Sequence, residues 1–221
     1  MVSAEKIAQF RERVEAVRRT YGEDLVFNMD ETNFRLVNMK HLTWALTGSK
    51  AVTCYNEEDV KLGVTVLATV SMSNEKLPLM LVGKGKTDAC LKKYGRHVND
   101  RTFWTAVSES GWTRENVMIR YLENLSEHVD GKPCALILDV YKAHRTDMVK
   151  QKAQQLGIEL VFIPPGCTDQ CQPLDISVFA VLKAHAKALR REYYHANLGR
   201  KVEWTLLMDH LLESWEKYPE V

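Results

Sequence analysis

The stretch CALILDVYKAH, residues 134–144, decides the fold. Five small or aliphatic residues lead into an acid, Asp139, and His144 follows five positions later. A short, near-continuous apolar run is what a strand covered on both faces requires. The run PCALILDV (133–140) is therefore predicted as a central strand of an α/β sheet. In such sheets functional side chains gather just beyond the carboxyl ends of strands. Asp139 stands at such an end.

The flanking segments extend this reading. Residues 113–130 predict a helix, capped by Thr113 and ended by Gly131, with Val117, Tyr121, Leu125 and Val129 on one face. Thr146 opens another helix that Gly157 closes, and IELVFIPP (158–165) reads as a second buried strand stopped by two prolines. A long helix is predicted from about 175 to 195, and a last one over 203–217. Upstream, residues 3–20 form an amphipathic helix through Ile7, Phe10, Val14 and Val17. Strands are predicted at 24–30, 41–48, 60–71 and 77–86, and 87–111 reads as irregular. The order of hairpin strands followed by βαβ crossovers implies a mixed central sheet with helices on both faces.

Bulk composition sets broad limits. The chain has 221 residues, is 45% hydrophobic and 27% charged, and carries a formal net charge of +1. A packed core is expected, disorder is not, and any basic surface must arise locally. The five cysteines are odd in number and scattered, so a disulfide framework is not expected. Cys167 and Cys171 lack a second Cys/His pair at zinc-site spacing. The sequence holds no signal peptide or membrane-spanning run, and the thiols point to a reducing, intracellular compartment. MLVGKGKT (80–87) is not a nucleotide loop, because Met80 stands where that pattern needs glycine.

Two more acids join Asp139. Asp30 ends the predicted first strand, and Asp175 opens the long helix. Each alone could be a turn or cap residue. If the first and fifth strands are neighbours, Asp30 and Asp139 lie side by side, and Asp175 can reach across. Carboxylates brought that close repel one another, and a divalent cation removes the penalty. Magnesium takes hard oxygen ligands from a few carboxylates, and paired ions can hold both oxygens of a phosphodiester displacement.

At these residues the sequence resembles a known family. NMDET (28–32), LILDVYKAH (136–144) and FIPPGCTDQCQPLDISVFAVLK (162–183) are similar to the DDE superfamily endonuclease domain, in the pogo, Tigger and Jerky branch of mariner-type transposases. LPLMLVGKGK (77–86) resembles the strand and Gly-Lys loop of that family. The resemblance implies a ribonuclease-H-like α/β fold: a lead-in helix over 1–23, a catalytic domain over 24–197, and a helical extension over 198–221. It implies DNA strand cleavage and transfer, with Asp30, Asp139, Asp175 and His144 as catalytic residues and the three acids holding metal. Two Mg2+ or Mn2+ ions are the implied cofactors. DNA is the implied partner, with a homodimer as the candidate assembly and no membrane. For a eukaryotic chain the implied location is the nucleus. The sequence departs from the pattern at Val140, where the family often has Asn, and only about two dozen residues precede the first strand, too few for the family's helix-turn-helix domains. The chain is thus expected to be a fragment or a domesticated copy, and a catalytically inactive nucleic-acid- or chromatin-binding protein stands as the alternative. An unrelated α/β protein whose acids are caps is a third.

Basic residues supply candidate DNA contacts. Lys84 and Lys86 lie in the glycine loop, and Lys183, Lys187, Arg190 and Arg191 lie along the long helix, where residues 183–201 hold six basic residues against one acid, Glu192. Such a run is either a solvated helix face or a track for a phosphate backbone.

Overall fold

The computed structural model describes residues 4–35, 63–99, 102–197 and 203–217. The predicted strand at 41–48 lies outside them. Helix α1 (Ala4–Tyr21) leads into β1 (Val26–Arg35), followed by β2 (Gly63–Ser71) and β3 (Met80–Lys84). A short α2 (Arg96–Asn99) and β4 (Trp104–Ser108) precede α3 (Glu115–His128). Then come β5 (Cys134–Leu138), α4 (Asp147–Gln155), β6 (Ile158–Phe162), α5 (Thr168–Cys171), α6 (Phe179–Ala196) and α7 (Trp204–Glu216).

The described strands form one six-stranded sheet in the order β4-β3-β2-β1-β5-β6. The pairs β1–β2 and β2–β3 are antiparallel, and β1–β5, β5–β6 and β3–β4 are parallel. Hairpin meander and βαβ crossovers thus meet at β1, as the order of elements predicts. All five residues of β5 are buried, which explains the unbroken apolar run.

Alternation along β1 and β2 feeds two cores. On one face Phe34, Val64, Val66 and Ala68 pack with Leu182 and Ala186 of α6 and Leu207, Leu211 and Trp215 of α7. On the other, Phe27, Met29 and Leu67 pack with Val117, Met118, Tyr121 and Leu125 of α3 and Val149 of α4. Val17 of α1 covers Val26, Ala135 and Ile137 near the sheet's other end. The Tyr121 hydroxyl would be stranded in this apolar layer but for Thr69 Oγ1, 2.8 Å away. No helix among the described residues is long and apolar enough to cross a membrane.

Several local expectations are corrected. Residues 87–111 are not wholly irregular: Asp88–Tyr94 is a 3-10 turn, α2 follows, and β4 adds an edge strand parallel to β3. Five residues with three only partly buried carry no usable alternation. Helix α3 begins at Glu115, with Arg114 in the extended cap position. Thr113 therefore does not cap it, and its hydroxyl is buried without a hydrogen-bond partner. Thr146 does cap α4, its Oγ1 accepting from the Val149 N–H at 3.3 Å. Gly157 closes that helix at φ 70°, a conformation that a Cβ would strain.

Candidate functional site: three carboxylates at one sheet edge

The site is built where the β1–β5 ladder runs out. The parallel register pairs Val26 with Ala135 and Asn28 with Ile137, and then stops. Continued by two residues, the same register sets Asp30 level with Asp139. Asp30 is not at the end of its strand, as the sequence suggested. It lies mid-strand, paired with Ala68 on β2, because β1 runs on to Arg35. The polar residues Asn28, Asp30 and Thr32 all project to one face and are all buried, so what looks in sequence like a strand fading into a turn is a strand lining a cleft.

Asp175 arrives from the opposite side of that cleft. It is exposed and sits in a π-helical turn, Leu174–Val178, that runs directly into α6. Leu174 and Val178 are fully buried and anchor the turn on the core. Pro173 sits at the cap position with helical dihedrals, φ −59° and ψ −38°, so Asp175 lies inside the first turn and is not its N-cap. Gln172, fully buried, donates from Nε2 to the Met29 carbonyl at 3.2 Å. That carbonyl lies beyond the last β5 pair and would otherwise be a buried, unpaired acceptor. The Q-P-L-D motif thus fastens the start of α6 to the strand residue next to Asp30.

Electrostatics follow from this crowding. Asp30 Oδ1 accepts the Glu31 N–H at 2.8 Å, whereas Oδ2 is buried with no partner. Burial, then the charge of Asp175, with smaller contributions from Asp139 and Glu31, push the Asp30 carboxyl up to about 7 against the pull of the Glu31 N–H. Asp139 goes the other way. Burial pushes it up, but His144 and the Tyr141 N–H together hold it below the usual carboxylate range. Its Oδ1 takes His144 Nδ1 at 2.7 Å and the Tyr141 N–H at 3.1 Å. His144 is 1% exposed, and its Nε2 lies 3.0 Å from Glu31 Oε1. Burial alone would lower its pKa, and the two carboxylates overcome that and raise it to about 9. Glu31 is the residue that sequence reasoning missed. Its only signal was its place directly after Asp30, which puts it on the opposite face of β1.

The donor set suits a hard divalent cation. Every candidate ligand is a carboxylate oxygen, and one, Asp30 Oδ2, is buried and unpartnered. Among the described residues no group of three or more His, Cys, Asp or Glu side chains is placed to hold a metal ion. Magnesium commonly uses one or two carboxylates and fills the rest of its sphere with water and phosphate, so the arrangement fits such an ion with substrate present.

The basic candidates divide by position. Lys183 and Lys187 are exposed and line a groove of about 530 Å3 with Asn33, Phe34 and Arg190. Phe34 lies on the Asp30 side of β1, so this groove opens on the same face of the strand as Asp30. Arg190 itself is 7% exposed, with its guanidinium 5.2 Å from the Phe34 ring, so it walls the groove. Arg191 is exposed beside it. Lys84 ends β3 at the same carboxyl edge of the sheet, level through β2 with Arg35 and so beyond Asp30. Lys86 is exposed and lies 3.7 Å from Glu109.

Comparison with known proteins agrees with this architecture. A mouse protein described as "Pogo transposable element with KRAB domain" is 28% identical over 190 residues, covering 83% of this chain and 30% of that protein. CENP-B homolog protein 2 of Schizosaccharomyces pombe is 23% identical over 204 residues, covering 86% of this chain and 38% of the relative. The chain therefore spans well under half the length of these relatives. In solved structures, the Mos1 strand transfer complex superposes with a TM-score of 0.53 at 12% identity, covering 96% of this chain and 58% of that one. The Mos1 mariner paired-end complex with Mn gives 0.51 at 13% identity, covering 98% and 62%. These likenesses establish a ribonuclease-H-like fold of the transposase kind. The family model for the DDE superfamily endonuclease matches residues 61–211, a span that holds Asp139, His144 and Asp175. With most of its length matched to that model and pogo proteins among its relatives, the chain belongs to the DDE superfamily of endonucleases.

Proposed function

We propose that residues 24–197 form a nuclear DNA strand-cleaving and strand-transferring domain that works with two Mg2+ or Mn2+ ions. Asp30, Asp139 and Asp175 are the residues that hold them. The observation that carries this reading is Asp30. A buried carboxylate with an unpartnered oxygen and two acids nearby is expensive to keep, and a fold retains such a group when a cation completes it. Ions held there would supply positive charge for the carboxylates and the phosphodiester and would lower the pKa of a water at neutral pH. The chain's own residues do the rest. His144 fixes the carboxylate of Asp139, and the Gln172–Met29 link sets the distance of Asp175 from β1. Lys183 and Lys187 hold the DNA backbone along α6, with Arg190 packed behind them.

The direct test is nicking of supercoiled plasmid in Mn2+. The parent chain converts it to open circles. Asp139→Asn and Asp175→Asn each lower that rate on the order of a hundredfold or more, since several kcal/mol of charge stabilisation are lost. Plasmid binding without metal-dependent nicking by the parent would instead favour the inactive, DNA-binding alternative.

Replacing Lys183 and Lys187 together by Ala weakens duplex binding across sequences. The slope of log K against log salt becomes shallower by roughly 1.8, the value for two lost phosphate contacts. An unchanged slope would remove these lysines from the path of the DNA.

Asp30 also predicts a pH signature without metal. Its folded pKa lies above its unfolded value of 3.8, so its contribution is fully present below that value and is lost as pH rises from there through about 7. Metal-free Asp30→Asn therefore melts with the parent at about pH 3 but higher than it at about pH 8, by roughly 2–4 °C for each kcal/mol recovered. Equal melting temperatures at both pH values would contradict the strained carboxylate.

A further inference from the structure

Nothing so far gives Glu31 a task, yet its contacts are specific. β1 sends Asp30 and Glu31, adjacent in sequence, to opposite faces of the sheet. Glu31 turns away from Asp175 and meets His144 Nε2 at 3.0 Å. The other ring nitrogen meets Asp139 Oδ1 at 2.7 Å. Carboxylate, imidazole and carboxylate thus form one chain from β1 to the loop that leaves β5. The imidazole is sealed: its side chain is 2% exposed, against 18% for Glu31 and 31% for Asp139. The His144 N–H also donates to the Tyr141 carbonyl at 3.0 Å, so the backbone of the same turn holds the ring's base.

This chain bears on the departure at position 140. Where the family pattern often supplies an amide after the acid, Val140 supplies none. Asp139 is instead oriented by the Tyr141 N–H and His144, both on Oδ1. That leaves Oδ2 as its remaining oxygen, so Asp139 would offer a cation one oxygen and not two. Removing a side chain that orients a ligand from behind in this way typically costs about 10–100-fold in metal affinity.

We infer that Glu31 is a positioning residue, which acts through His144 to lock Asp139 in a one-oxygen geometry for the divalent cation. The inference rests on the function proposed above. It does not make Glu31 a ligand, since its carboxylate faces the other side of the strand.

Two conservative substitutions separate reach from charge. Glu31→Gln discards the charge but keeps an oxygen at the same reach, able to accept from His144 Nε2–H. Glu31→Asp keeps the charge but falls one methylene short. Mn2+ alone is titrated by calorimetry into the parent, both variants and Asp139→Asn, after melting curves confirm that each is folded. The expected result is that Glu31→Asp weakens Mn2+ binding about tenfold or more, while Glu31→Gln stays within about threefold of the parent. Parent-like binding by Glu31→Asp, or a larger loss in Glu31→Gln than in Glu31→Asp, would overturn the positioning role while leaving the metal site intact. No binding by the parent, or equal binding by the parent and Asp139→Asn, would remove the proposed metal site and this inference with it.

Discussion

The parallel register between β1 and β5 governs everything else in this molecule. It pairs Asn28 with Ile137 and then ends, leaving the next residues of both strands at an open edge. Because the two strands run in the same direction and start in step, their acids emerge level with each other. A shift of one residue would turn Asp30 to the opposite face and bury Glu31 in its place. The identical shift would pull Phe27 and Met29 out of the core they form against α3. Hydrophobic packing therefore fixes the positions of the carboxylates, and the site inherits its accuracy from the core.

The same edge explains why the acids differ in character although they are close. Asp139 has an N–H and an imidazole on one oxygen, so its charged form is favoured. Asp30 has one backbone N–H and is otherwise enclosed, so its charged form is penalised. Asp175 is exposed to solvent. One site thus holds a stabilised carboxylate, a strained one and a solvated one. Under the proposed function, such a division would let a cation contribute most where the protein contributes least.

Much of this was legible from the residues. The apolar run before Asp139 marks a doubly covered strand, and β5 is buried at every position. Thr146 and Gly157 bracket α4 as cap chemistry requires. Asp139 was placed correctly because it directly follows the apolar run, whereas Asp30 lies within β1 and Asp175 inside a helical turn. What was hidden depends on tertiary context. β4 is short and lies at an edge, so nothing in its pattern separates it from a loop. The continuation of β1 past Asp30 was obscured because a cleft-facing strand alternates polar with apolar, like one turning into solvent. Glu31 was invisible since its partner is 113 residues away. Arg190, in a basic run, reads as part of a solvated helix face or a phosphate track, yet its side chain lies buried on Phe34. A local charge count cannot distinguish the two.

The most direct measurement is anomalous diffraction from crystals of this chain soaked in Mn2+. The account predicts a manganese peak bound by Asp30 Oδ2, with Asp139 contributing one oxygen and Asp175 closing the far side. A fully occupied peak away from these three carboxylates, or none at saturating Mn2+ with the cleft open to solvent, would contradict it.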